Sequence, residues 1–149
     1  MLVVDTNVLL YAANSTAKFH APCRAWLDQQ TRRPDAWYIT WPIAYEFLRV
    51  STHPKALPRP SSVGRAWQFI TSLLDSPGLS VLVPTQRHAD VAGEVLAELP
   101  HLAGSIMHDA HTAILMREHG IKQICTRDTG FHRFRFLAVI DPLRAASVR

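Results

Sequence analysis

The chain opens with four apolar residues, Met1–Val4, breaks to Asp5–Thr6–Asn7, and turns apolar again at Val8–Leu9–Leu10. Residues 2–4 read as a short buried strand and Asn7–Ala13 as a short helix. From His20 to Gln30, with Phe19 just ahead, Cys23, Trp26 and Leu27 recur at helical spacing, and Pro22 falls in the tolerant first turn. Trp37–Thr40 is strand-like, and Pro42 opens a helix to about His53. Residues 53–62, HPKALPRPSS, hold three prolines and read as a loop. Ser62 caps a helix to about Asp75, which Ser76–Pro77–Gly78 ends. Leu79–Val83 reads as a strand and Gln86–Leu99 as a helix stopped by Pro100. Ser105 is positioned to cap a helix to His119, with Gly120 at its C′ position. Ile121–Thr126 and Leu137–Ile140 complete the strands. Strands alternating with helices predict an α/β fold with a mostly parallel sheet. No repeat, low-complexity tract or linker divides residues 1–149, which read as one domain.

The breaks in this pattern are acidic. In such sheets ligands sit outside the carboxyl ends of the strands. Asp5 stands at that end of the first strand, and Asp128 two residues beyond Thr126 at that end of a later one. Either acid alone would be read as a helix cap. Two helices add to the case. The apolar stripe Ile43, Phe47, Val50 places Glu46 on its face, and the stripe Ile106, Ala110, Ala113, Ile114 does the same with Asp109. The alternative is that each faces an arginine such as Arg49, Arg117 or Arg127. Unpaired buried charge is costly, and buried pairs are weak stability devices. One shared cationic partner explains four such acids better. Carboxylates suit a hard divalent cation such as Mg²⁺. Zinc is disfavoured, because His108, His111 and His119 fall off the apolar stripe and Cys23 and Cys125 are not in a metal-binding spacing.

Composition narrows the partners. With 149 residues, 48% of them apolar, the chain can bury a core without staples. The net charge is +4, and 13 of the 16 basic residues are arginine, whose planar fork suits phosphate. Nucleic acid and an ordinary solvated surface explain that balance equally well. Two cysteines in apolar surroundings point to reduced thiols in a cytoplasmic protein. No apolar run spans a bilayer, and Asp5 interrupts any signal-type segment. No glycine-rich nucleotide-binding motif is present.

Asp5–Thr6–Asn7 after a first strand, Glu46 in a helix, Asp109–Ala110–His111 opening a helix, and Thr126–Arg127–Asp128 after a strand together resemble a PIN domain. DAHTAILMREHGIKQICTRDTGFHRF, with RVSTHPKALPRPSS ahead of a helix, resembles the VapC-type toxin ribonucleases of bacterial toxin–antitoxin pairs. The resemblance runs through essentially the whole chain. It implies an α/β/α sandwich around a parallel sheet and a Mg²⁺- or Mn²⁺-dependent endoribonuclease. One or two ions would be held by Asp5, Glu46, Asp109 and Asp128, with metal-activated water leaving a 5′-phosphate and a 3′-hydroxyl. It further implies tRNA or ribosomal RNA substrates, a small VapB-type antitoxin, and a homodimer. Many relatives carry an acid or Asn where this chain has Gly130, which puts a second metal in doubt.

Thr6, Asn7 and Thr126 are placed to orient carboxylates, water or phosphate, or simply to cap helices and close strand ends. Arg49, Lys55, Arg59 and Arg127 flank the acidic elements and are the candidate phosphate contacts, with a solvated face as the alternative. Trp26, Trp41 and Trp67, on or beside early helices, are expected mostly in the core, with some area left as a groove for an antitoxin helix. Two rivals remain. A haloacid-dehalogenase-like phosphatase would want a second Asp where Asn7 stands, and a non-catalytic RNA-binding PIN-fold protein would not need all four acids.

Overall fold

The computed structural model describes residues 1–145. Five strands form one sheet: β1 (Leu2–Val4), β2 (Trp37–Thr40), β3 (Leu79–Leu82), β4 (Gln123–Cys125) and β5 (Ala138–Ile140). Their order is β3-β2-β1-β4-β5, and every neighbouring pair is parallel. The expected strand starting at Ile121 is shorter than predicted. Ile121 is instead spent on closing the preceding helix.

The helices α1 (Thr6–Ala13) and α2 (His20–Thr31) link β1 to β2, and α3 (Trp41–Ser51) and α4 (Val63–Leu74) link β2 to β3. The helices α5 (His88–Glu98) and α6 (Ile106–Glu118) return from β3 across the sheet to β4. Parallel crossovers are right-handed, so this reversal places α5 and α6 on the opposite face from α1–α4. The result is an α/β/α sandwich. A 3₁₀ turn at Thr129–Arg133 and a short helix α7 (Pro142–Ala145) were not foreseen from the residue pattern.

Local chemistry explains the ends. Thr40 caps α3 by accepting the Ile43 N–H at 3.2 Å, ahead of Pro42 in the first turn. Ser62 caps α4 through the Arg65 N–H. Ser105 does not cap α6: its backbone is already helical and its hydroxyl takes no cap bond. The C-terminus of α6 closes as foreseen. Gly120 adopts φ 68°, and the Gly120 and Ile121 amides donate to the carbonyls of Arg117 and Met116.

The core is built from both sheet faces. Val3, Val4, Trp37, Ile39, Ile124 and Cys125 are completely covered. On one side Val8, Leu9 and Ala12 of α1 and Ile43, Ala44 and Phe47 of α3 pack down. On the other, α6 is buried beyond a single stripe, with Thr112 through Met116 all covered. Cys23 and Cys125 are buried free thiols, both held above the ordinary thiol range by burial. Among the described residues no helix is long and apolar enough to cross a membrane.

The sheet order matters for function. Chain direction across the sheet reverses at β1, whose neighbours are β2 and β4. Crevices open outside the carboxyl ends of strands at such switch points.

Candidate active site

Pairing of β1 with β4, Val4 against Cys125, brings the residues that follow each strand side by side. The ladder runs one step further, with the Asp5 amide donating to the Cys125 carbonyl at 3.0 Å. Asp5 and Thr126 then meet directly. The Thr126 hydroxyl donates to Asp5 Oδ2 at 2.7 Å, while the same hydroxyl oxygen accepts from Asn7 Nδ2 at 2.9 Å and from the Asp128 amide at 2.9 Å. One donor and two accepted bonds exhaust what a hydroxyl can do. Asn7 is equally committed: Nδ2 also reaches Asp5 Oδ2 at 2.7 Å, and Oδ1 accepts the Arg127 amide at 3.1 Å. The Thr6 amide donates to Asp5 Oδ1 at 2.7 Å.

Asp5, 9% exposed, is therefore both the cap of α1 and a buried carboxylate. Burial raises its pKa to about 6, helped by the charges of Asp128 and Glu46, against the Thr126 and Thr6 hydrogen bonds that lower it. Asp128 likewise caps the 3₁₀ turn, accepting the Gly130 amide at 2.7 Å. The capping alternative thus holds for both strand-end acids, and it does not take either away from the crevice.

A cleft of about 520 Å³ opens there, lined by Asp5, Glu46, Asp109 and Asp128 together with Thr6 and Asn7. Four separate elements contribute the four acids. Asp109 lies in the first turn of α6, half-buried, and burial with the charges of Asp5 and Asp128 raises its pKa to about 6. Among the described residues its carboxylate has no hydrogen-bond or ion-pair partner. Glu46 differs. Arg49 grips it with both prongs, at 2.7 and 2.9 Å, and holds its pKa below the usual range. The arginine alternative therefore holds for Glu46, as a part-exposed pair, and not for Asp109. Arg117 is taken by Glu98 and by the Phe136 ring.

Gly130 lies between two of the acids. A Cβ there would sit 3.0 Å from Asp128 Oδ1 and 3.4 Å from Asp109 Oδ2. Glycine at this position omits a ligand and also lets the two carboxylates approach. Among the described residues, no three His, Cys, Asp or Glu side chains converge as a ready-made metal cage.

The candidate phosphate contacts separate. Arg49 lines the cleft but is spent on Glu46. Arg127 points elsewhere, against expectation: its guanidinium stacks over Phe19 at 3.9 Å and pairs with Asp141 at 3.3 Å, so an aromatic face and a carboxylate already hold it. Lys55 and Arg59 lie in the 53–62 loop, outside the cleft lining. Trp41 and Trp67 are 40% and 42% exposed, more than a core role allows, and Trp26 is half-buried.

Four cleft residues were not assigned to the site from the sequence: Tyr45, Thr112, Ser105, which was read as a helix cap, and His108, which was weighed only as a zinc ligand. Tyr45 and His108 each precede an acid by one position, and Thr112 follows Asp109 by one helical turn, so helix geometry was the available signal. A charge on His108 lowers the pKa of both Glu46 and Asp109.

Comparison with known proteins agrees with this geometry. Ribonuclease VapC37 of Mycobacterium tuberculosis is 34% identical over 134 residues, covering 90% of this chain and 92% of that protein. Two solved structures share the fold. VapC20 of M. tuberculosis, described as a sarcin–ricin loop cleaving toxin, has a TM-score of 0.66 at 18% identity, covering 92% of this chain and 97% of its own. VapBC2 of Rickettsia felis, solved bound to promoter DNA, has a TM-score of 0.64 at 16% identity, covering 93% and 96%. The haloacid-dehalogenase alternative falls away, because residues 2–137 match the PIN domain. The chain belongs to the PIN-domain family and groups within it with the VapC ribonucleases.

Proposed function

We propose that this protein is a divalent-metal-dependent endoribonuclease toxin, hydrolysing RNA phosphodiester bonds to 5′-phosphate and 3′-hydroxyl ends. The observation that carries the reading is the meeting of four carboxylates from four elements in one cleft, two of them with pKa values raised to about 6. Carboxylates that burial and mutual repulsion hold near protonation are poised to accept a cation. The donor set is all oxygen, which fits Mg²⁺ or Mn²⁺, one or two ions, held by Asp5, Glu46, Asp109 and Asp128. When bound there, such an ion would supply a lowered pKa for a coordinated water and charge neutralisation for the phosphate.

The protein's own groups do the rest. Thr126 and Asn7 lock the Asp5 carboxylate in one orientation, so its placement costs nothing at the moment of reaction. Among the described residues Asp109 has no hydrogen-bond or ion-pair partner, and its carboxylate is the one free to take the proton of the attacking water. Arg49 must release Glu46 before Glu46 can bind a cation, and the freed guanidinium then faces phosphate in the same cleft. The non-catalytic RNA-binding alternative would not use an unpaired, half-buried Asp109.

The substrate is RNA, with tRNA or ribosomal RNA loops the expected class. VapBC relatives support a small antitoxin as partner, and exposed Trp41 beside Tyr45 is a candidate contact for it. A homodimer is proposed as the resting assembly. The test is cleavage of RNA in Mn²⁺ against EDTA, with the ends identified chemically. No Mn²⁺-dependent cleavage, or products bearing 2′,3′-cyclic phosphate, would sink the mechanism.

A further inference from the structure

A second cavity, of about 450 Å³, lies beside the acid cleft. The two share Leu10, and α1 and α3 wall both. The acid cleft uses the early turns of these helices. The second cavity uses later ones, to Asn14 and Ser51. From Glu46 to Ser51 a helix advances ~7.5 Å, so the cavities follow one another along a single seam.

Their charges are opposite. The outer wall of the second cavity is the proline loop and the first turn of α4, which carry Arg59 and Arg65. Among the described residues neither guanidinium has an ion-pair or hydrogen-bond partner. The first turn of α4 contains no acidic residue, so the positive helix end adds to the same sign. Phe69, half-buried, also lines the cavity and stacks on buried Phe47 at 4.9 Å and 20°.

A polyanion is repelled by four carboxylates and attracted by two unspent arginines. The acid cleft therefore cannot supply substrate affinity in the absence of a cation, and the neighbouring cavity can. We propose that the second cavity is a phosphate-and-base subsite for the same RNA strand whose cleaved linkage lies in the acid cleft. This rests on the endoribonuclease reading above. Arg59 and Arg65 each take a phosphate of the strand beyond the cleaved linkage, and part-exposed Phe69, backed by buried Phe47, offers its ring to an unstacked base without regard to its identity. The volume suits a nucleotide-sized group. An acidic protein segment is the rival polyanion. The aromatic lining and the continuity with the acid cleft favour the nucleotide strand.

The test uses the full chain, wild type and with Arg59→Ala, Arg65→Ala and both, binding a fluorescent single-stranded RNA of mixed sequence in EDTA across a salt series. Each substitution should lower the slope of log affinity against log salt by about 0.7 and weaken binding about fivefold at physiological salt. The slope losses should add in the double variant, while melting temperatures and the Mn²⁺-induced melting shift stay those of wild type. Wild-type slopes in the variants would overturn the subsite. So would loss of binding to a polyglutamate peptide with the RNA slope unchanged, which would assign the rim to an acidic protein segment. Because affinity is read without metal, absent Mn²⁺-dependent cleavage would count against the endoribonuclease reading alone.

Discussion

The two ends of α6 carry one carboxylate each, and the two behave oppositely. At the N-terminal end Asp109 is half-buried, without a hydrogen-bond or ion-pair partner among the described residues, and raised to about 6 by burial and by the charges of Asp5 and Asp128. At the C-terminal end the Glu118 side chain has no exposed surface at all. Burial pushes it up too, but the Thr85 hydroxyl at 2.6 Å, the Thr85 amide at 2.9 Å and His88 Nδ1 at 2.6 Å outweigh burial, and its pKa is lowered. Burial does not by itself separate a free acid from a satisfied one. Partners do. Glu118 ties the β3–α5 connection to α6 and has nothing left to give, whereas Asp109 lines a cleft with three other carboxylates.

The sharpest way to break this contrast is to neutralise each acid in turn. Asp109→Asn should reduce Mn²⁺-dependent RNA cleavage by at least about 10²–10³-fold, the scale on which one preorganised electrostatic group acts. Glu118→Gln should cleave like wild type. Equal losses in both variants, measured as initial rates on one RNA, would erase the distinction.

Metal binding comes next in size. A cation at one hundred times its dissociation constant adds about 2.7 kcal/mol to a fold it binds only when native. For a domain of this size that is roughly five to ten degrees of melting temperature. The Mn²⁺ shift should persist in Glu118→Gln and shrink in Asp5→Asn and Asp109→Asn. An undiminished shift in Asp5→Asn would remove that residue from the metal site.

The pH dependence of metal-free stability separates the two kinds of acid by window. Asp5 titrates at about 6 when folded and near 3.8 otherwise, so its ionisation opposes folding fully above pH 6 and not at all below 3.8. Stability should rise as pH falls through that interval, by at most about 3 kcal/mol for a two-unit difference. Asp109, also raised to about 6, adds a rise of its own in the same window, so Asp5→Asn should reduce the rise by the Asp5 share and leave the metal-free protein at least as stable as wild type at pH 7. Glu118 has the opposite sign. Its contribution is present above pH 4.5 and is lost as pH falls through its lowered folded value. Denaturant titrations at several pH values would read both windows.

The smallest effect expected is from His88→Ala, which removes one of the donors to Glu118. It should cost about 1 kcal/mol, or 2–4 °C, with cleavage untouched. A change in cleavage would mean that the structural end of α6 reaches the cleft.

Local patterns made much of this legible beforehand. Alternating strands and helices, the Gly120 stop and the caps at Ser62 depend on neighbours a few residues away, and the chain spells those neighbours out. The acids at 46 and 109 were visible because they interrupt helical stripes, and those at 5 and 128 because they end strands. The exceptions are also local in cause. Ser105 could cap by composition but sits in helical backbone, and the 3₁₀ turn at Thr129–Arg133 has too few residues to show a period.

What the order of residues determined by itself was the set of elements and the set of acids. Which of those acids are free was decided only by the tertiary structure. Placing β1 against β4 joins Asp5 to Thr126 across 121 positions of sequence. Crossing to the opposite face brings Asp109 to the same rim. Arg49 turns to Glu46, Arg117 to Glu98, and Arg127 to Asp141 and Phe19, leaving Asp109 without an ion pair among the described residues. Arg59, a candidate phosphate contact already in the sequence, and Arg65, which the sequence did not single out, end up on one cavity rim with no ion-pair partner among the described residues. Propensity and periodicity are short-range. Charge pairing follows the distances that chain topology creates, and those are not written in any local window.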